Sequence, residues 1–160
     1  MKFLLAFPLL FLASCTKGDP WNESCIRSHV TKHDLAKLSY PPSNECEGLE
    51  LELVRNGDEI RGYLNAYKSN FKEENSIITI LSSDRKKTFE VTRLSGGQRL
   101  RLSEESLNYL IETLLQESVT VYTSHFKQTY ECYQFKNHFA TLQKKPTPYL
   151  PEKLITFDLY

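Results

Sequence analysis

Two histidines and a cysteine near the start of the chain have the spacing of a metal site. Cys25, His29 and His33 follow one another at intervals of four residues. On a helix these side chains would share one face, and thiolate and imidazole are ligands for zinc or copper. However, the sequence places no fourth ligand, and exposed histidines on a polar segment explain the same pattern. We therefore expect no metal or other cofactor, and retain His29 and His33 as candidate ligands.

Other catalytic motifs do not occur in the sequence. It contains no Gly-x-Ser-x-Gly, no phosphate-binding loop, no His-Glu-x-x-His and no Cys-x-x-Cys. Gly96 and Gly97 precede a strand-like stretch, so a turn explains them better than a dinucleotide loop does. We predict no catalytic residues and a protein that is not an enzyme. The alternative is a hydrolase with scattered residues, which would hold a titratable group of shifted pKa in a deep pocket.

The first fourteen residues are typical of a signal peptide. Lys2 supplies a positive charge, and residues 3–12 form an apolar stretch. This stretch is too short to span a bilayer, which takes roughly 20 residues. The segment therefore predicts export of the chain.

The end of this segment is more specific, because Leu12-Ala13-Ser14-Cys15 resembles the lipobox of bacterial lipoproteins. The resemblance implies that the signal is cut before Cys15 and that this residue is acylated, with palmitate among the acyl groups. Several acyl chains hold a domain firmly to a membrane. It also implies a cell-envelope protein facing the periplasm or the surface. Thr16 rather than Asp follows, which favours the outer membrane of a Gram-negative source.

An ordinary secretory signal is the alternative interpretation of the same residues. Cleavage would then fall near Ser14, and Cys15 would be a normal cysteine. Asn22-Glu23-Ser24 is a formal N-glycosylation acceptor, which would suit a eukaryotic secreted protein.

Export also bears on the remaining cysteines, because disulfides form in oxidising compartments. With Cys15 acylated, the disulfide candidates are Cys25, Cys46 and Cys132. One disulfide and one free thiol is the expected pattern, and all three pairings are open. A Cys25–Cys46 bond would close a loop of about 22 residues and stabilise by roughly 3 kcal/mol. Cys132 lies in a strand-like run as a buried apolar residue or as the partner of another cysteine.

The elements that would carry these residues are mainly strands. Alternation of leucine with polar residues predicts a strand over 49–54, and Asn56-Gly57 predicts a tight turn into a second strand over 60–67. Further strands are predicted over 77–81, 89–94, 99–102, 119–123 and 126–135, with a last short piece over 139–142. Residues 23–39 have weak helical character.

One strong helix interrupts the strands. Ser103 is a suitable N-cap, and Glu104 and Glu105 follow in the first turn. Leucine and isoleucine then recur at helical spacing and form one apolar stripe, at positions 107, 110, 111, 114 and 115. The sequence therefore predicts an α+β fold, an antiparallel β-sheet of hairpins and meanders with one main amphipathic helix packed on one face.

The chain divides into a signal peptide (1–14), a lipidated cysteine with a short tether (15–24), one α+β domain (25–143) and a proline-containing tail with a possible edge strand (144–160). Its 160 residues carry 20 basic and 20 acidic side chains. A balanced charge argues against nucleic acid as a partner. We expect a lipid-anchored, non-enzymatic envelope protein that binds a protein partner or serves as an accessory module. The alternative is a ligand- or metal-binding lipoprotein.

Overall fold

The computed structural model describes residues 18–27, 34–44, 46–71 and 75–144. In this part of the chain, nine strands form one sheet in which every pairing is antiparallel. The strands are β1 Asn22–Arg27, β2 Asp34–Tyr40, β3 Glu50–Asn56, β4 Glu59–Asn65, β5 Asn75–Leu81, β6 Lys86–Arg93, β7 Arg99–Arg101, β8 Val119–Tyr122 and β9 Lys127–Tyr130. The helices are α1 Glu104–Leu114 and α2 Phe135–Gln143.

The strand order follows the chain in part of the sheet and departs from it in another part. It runs β1-β2-β3-β4-β7-β6-β5-β8-β9, so the first four strands form a meander and β7 closes the gap between β4 and β6. Gly57 has a φ of 63° in the turn between β3 and β4, a conformation that glycine adopts without strain. The antiparallel sheet and the hairpin are present as predicted, and the sheet dominates the α+β architecture.

The expectation of helical character over 23–39 is wrong, because β1 and β2 occupy the described part of this segment. Leu38 and Tyr40 are buried and pair with Leu53 and Leu51 on β3. Pairing with β3, the next strand along the chain, buries these side chains at a spacing of two residues. This tertiary packing outweighs the loose helical spacing of the apolar residues.

The strand predicted over 126–135 is also wrong in its second half. The strand β9 ends at Tyr130, Cys132 lies in the following turn, and α2 begins at Phe135. Gln134 precedes the helix with a φ of 59°. Phe135, Phe139 and Leu142 are buried at helical spacing. The described part of the domain therefore has two helices rather than one.

The buried core lies on one face of the sheet, under both helices. The first helix packs against β4, β6 and β8, and the second packs against β2. The sheet curls so that its two ends meet on this face: the Tyr40 and Tyr130 rings are 5.3 Å apart edge to face. The Tyr130 hydroxyl also donates to the Leu49 carbonyl at 3.1 Å. Burial raises the pKa of Tyr130 well above its usual value.

Candidate functional site

A groove of about 610 Å³ lies between α1, α2 and the turn that joins β3 to β4. The apolar part of its lining is buried or half-buried and comprises Ile60, Leu102, Leu107, Ile111 and Phe139. The charged part of its lining comprises Asp58, Glu59, Arg61, Arg101, Glu104 and Glu112. A lining in which apolar side chains are mixed with charged and polar ones is suited to binding a polypeptide segment.

The first wall of the groove is α1, and residues near its start determine where this helix begins. The Ser103 hydroxyl accepts a hydrogen bond from the Ser106 backbone N–H at 3.3 Å and so caps the helix. Below the helix, β4 carries Gly62. A Cβ atom at this position would lie 2.6 Å from Leu107 Cδ1. The absence of a side chain on Gly62 therefore lets α1 approach the sheet closely at the groove.

The second wall is α2, and Arg55 on β3 holds its C-terminal end. Arg55 is 5% exposed, and its Nε donates to the Leu142 carbonyl at 2.7 Å. Its Nη1 donates to the Gly57 carbonyl at 2.9 Å. The last turn of α2 has no basic residue of its own. Arg55 therefore supplies the cation that the C-terminal end of a helix favours.

Some of the charged side chains that line the groove form ion pairs with one another, and others do not. Arg61 donates two hydrogen bonds to Glu59, at 2.6 and 2.7 Å. These bonds lower the pKa of Glu59 and raise the pKa of Arg61. Glu104 and Glu112 on α1 take part in no ion pair within the described chain. The α1 side of the groove is therefore left with carboxylates that are free to meet a cation.

A second polar cluster lies on the open face of the sheet, away from the helices. Glu52 is 8% exposed and accepts from Lys37 Nζ at 2.9 Å and from Arg99 Nη2 at 2.5 Å. Burial raises the pKa of Glu52, but hydrogen bonds from Asn65 and Lys37 and the positive charges of Arg99 and Lys37 outweigh burial and leave it below its usual value. Arg99 also lies 3.9 Å from the centre of the Tyr63 ring. Every partner of Glu52 here lies on another strand of the same sheet, so the cluster links β3 to β2, β4 and β7.

A histidine on α2 lies between two carboxylates from the N-terminal part of the chain. His138 Nδ1 is 2.5 Å from Glu23 Oε1, and Nε2 is 2.6 Å from Asp19 Oδ2. Partial burial lowers the pKa of His138, but the hydrogen bonds and charges of both carboxylates raise it more, leaving it above its usual value. Asp19 has the complementary shift: burial raises its pKa, and the bonds with His138 and the Trp21 N–H lower it further than burial raises it. We call these three residues the Asp19–His138–Glu23 cluster.

The described cysteines that the sequence singled out do not line the groove. Cys25 and Cys46 are exposed, Cys132 is half-buried, and all three are free thiols in this structure. The disulfide therefore stays a prediction. Cys15, His29 and His33 lie outside the described residues. Since Cys25 lies on a strand, the helical convergence assumed for a Cys25 metal site does not apply to it.

Within the ranges that the structure describes, no group of three or more His, Cys, Asp and Glu side chains could hold a metal ion. No helix in those ranges is long and apolar enough to cross a membrane. No protein-family model matches the chain, and comparison with curated proteins and with solved structures likewise finds no match.

Sequence reasoning missed both the groove and the cluster around His138. The groove combines α1, α2 and a turn that are distant in sequence, and the cluster joins residues 115 and 119 positions apart. One signal for α2 was present, namely Phe135, Phe139 and Leu142 at a spacing of four and three residues. The pairing of His138 with Asp19 and Glu23 has no sequence signal.

Proposed function

We propose that this protein is a lipid-anchored, non-enzymatic module of the bacterial envelope that binds a partner protein through the groove between α1 and α2. Two features support the proposal. The residues Leu12-Ala13-Ser14-Cys15 match the order of a lipobox, and the folded domain carries the groove described above.

A short tether would hold the groove near the membrane. Trp21 is 4% exposed, and its Nε1 donates to the Glu131 carbonyl at 3.1 Å. Trp21 lies six positions after Cys15 in sequence, and a fully extended chain of that length spans at most about 20 Å. An acylated Cys15 would therefore keep the domain within about that distance of the lipid surface.

The observation that carries the proposed partner binding is the lining of the groove. Its apolar residues would bury apolar side chains of a partner at about 25 cal/mol per Å². Glu104 and Glu112 would face basic residues, because neither has an ion-pair partner within the described chain. We infer that the partner presents a polypeptide segment in which apolar residues are flanked by lysine or arginine.

The anchor is tested by the intact mass of the protein from the membrane fraction, compared with Cys15→Ala. We expect the wild-type protein to lose residues 1–14 and gain acyl mass, and the variant to do neither. An unmodified Cys15 in the mature wild-type protein would refute the lipid anchor.

The groove is tested by site-specific photo-crosslinking in intact cells. A photoreactive residue at Ile111 should capture a partner, and the same residue at Ile77, which is 58% exposed on β5, should not. Charge reversal by Glu112→Lys should reduce the yield at Ile111, because it repels a basic segment. Equal capture at both positions, or a yield that Glu112→Lys leaves unchanged, would refute the proposed site.

A further inference from the structure

Asp19 and Glu23 reach His138 from two different parts of the fold. Asp19 precedes β1, Glu23 belongs to β1, and His138 lies in the middle of α2. One Asp19 oxygen accepts from the Trp21 backbone N–H at 3.0 Å, and the other contacts His138 Nε2 at 2.6 Å. The Trp21 ring lies 4.8 Å from the Phe135 ring of the same helix. The cluster therefore closes over the only tryptophan of the chain.

The arrangement requires a charged imidazole. A carboxylate only accepts hydrogen bonds, and a neutral imidazole has a single N–H, so it can donate to only one of the two carboxylates. Only the imidazolium donates through both ring nitrogens at once. When His138 loses its proton, one bare nitrogen faces a carboxylate oxygen about 2.5 Å away, and that contact must open.

Among the residues that the structure describes, no other charge near His138 would replace this proton. Residues three and four positions away on α2 are Gln134, Phe135, Thr141 and Leu142, which are uncharged and share the helix face of His138. Where α2 packs on β2, Lys37 is directed to Glu52 on the opposite face of the sheet. The charged groups that face the imidazole are thus Asp19 from the segment before β1 and Glu23 from β1 itself.

We propose that the Asp19–His138–Glu23 cluster is a pH-operated latch that fastens the segment preceding β1 to α2 and releases it when His138 loses its proton. Glu23 is held by strand pairing opposite Leu38, whereas Asp19 lies outside the sheet, so the Asp19 contact is the one that opens. The proton passes to solvent and no bond other than these hydrogen bonds changes. On the proposed function, this segment continues to the lipid anchor, and its release would free the domain to reorient at the membrane.

The latch is tested by NMR titration of the imidazoles of the full chain in detergent between pH 5 and pH 9. Asp19→Asn and Glu23→Gln should each lower the proton affinity of His138 by about tenfold, because each removes one adjacent negative charge. His125, an exposed histidine between β8 and β9, is the reference in the same spectra and should be unaffected. An unchanged proton affinity of His138 in both variants would overturn the proposal.

The opening itself is tested in the wild-type protein by acrylamide quenching of Trp21 over the same pH range. Quenching should increase as His138 loses its proton, whereas His138→Gln should quench equally at every pH, at the level of the deprotonated wild type. Quenching that stays constant while His138 titrates would overturn the latch. Neither readout depends on acylation, so failure of the latch and failure of the lipid anchor are distinguishable.

Discussion

Arg55→Met tests whether a cation on β3 holds α2 in place. The change removes the hydrogen bond from Nε to the Leu142 carbonyl and the bond from Nη1 to the Gly57 carbonyl. Hydrogen bonds from charged donors contribute about 1.5–3 kcal/mol each. The Gly57 carbonyl lies in an exposed turn, where water replaces the donor, so the Leu142 bond accounts for most of the loss.

The interaction of a cation with the C-terminal end of a helix adds about 0.3–1 kcal/mol. We therefore expect Arg55→Met to lower the free energy of unfolding by about 3 kcal/mol. At about 2–4 °C per kcal/mol for a chain of this size, Tm should fall by roughly 6–12 °C.

The assay is urea and thermal unfolding followed by Trp21 fluorescence and by far-UV circular dichroism. Trp21 contacts Phe135 on α2, so its emission reports separation of α2 from the sheet. Arg61→Met is the matched control. Arg61 also makes two hydrogen bonds to one partner, but on the exposed surface, where such pairs contribute little.

Arg55→Lys should give an intermediate loss, because an ammonium group keeps the charge without the two separated donors of the guanidinium. The reasoning is refuted if Arg55→Met and Arg61→Met unfold at the same denaturant concentration. It is also refuted if Arg55→Lys is as destabilised as Arg55→Met.

Three further predictions concern stability. Glu52→Gln should make the free energy of unfolding fall less steeply as the solution is acidified. The pKa of Glu52 is lowered in the folded state, so the stability that its charge contributes is present above the unfolded pKa and is lost as the pH falls through the folded pKa. Urea unfolding at several pH values would show the difference. Gly48→Ala should lower Tm, because a Cβ would lie 2.7 Å from the Asn44 carbonyl oxygen; an unchanged Tm would contradict this close approach. Ser103→Ala should lower the free energy of unfolding by about 1 kcal/mol through loss of the helix cap, and Ser103→Asp, which can cap, should retain most of it in the same urea titration.

The sequence predicted those elements whose signals are local. Ser103 and the apolar stripe of α1 lie within twelve residues of one another, and the β3–β4 hairpin is marked by its own turn. The strand β2 was not predicted from the sequence. Its apolar residues are spaced loosely enough to suit a helix, and only the pairing of Leu38 with Leu53 on β3 makes them a strand. Helix α2 was obscured by the aromatic residues that precede it, which suit a strand as well as a helix.

The candidate sites were harder to predict than the elements, for a physical reason. Carboxylates and arginines are common, so individual charged residues do not indicate a site. Arg55 follows the leucines of β3 at a spacing of two residues and so lies on the same face of the strand. Its burial is explained only by the C-terminal end of α2, which lies beside it. Without the two carboxylates, which lie more than 100 positions earlier in the sequence, His138 would be an ordinary surface histidine.

The contacts that Trp21 and Tyr130 make across the curled sheet also govern when the domain can complete its fold. They join residues 110 and 81 positions apart, and closing such long loops is entropically costly and slows folding. During synthesis, Trp21 can meet Tyr40 early, but it lacks its partners Glu131 and Phe135 until residues 131–135 have left the ribosome. The β1–β4 meander can therefore pair early, but the two ends of the sheet come together only after almost all of the described part of the chain has been synthesised.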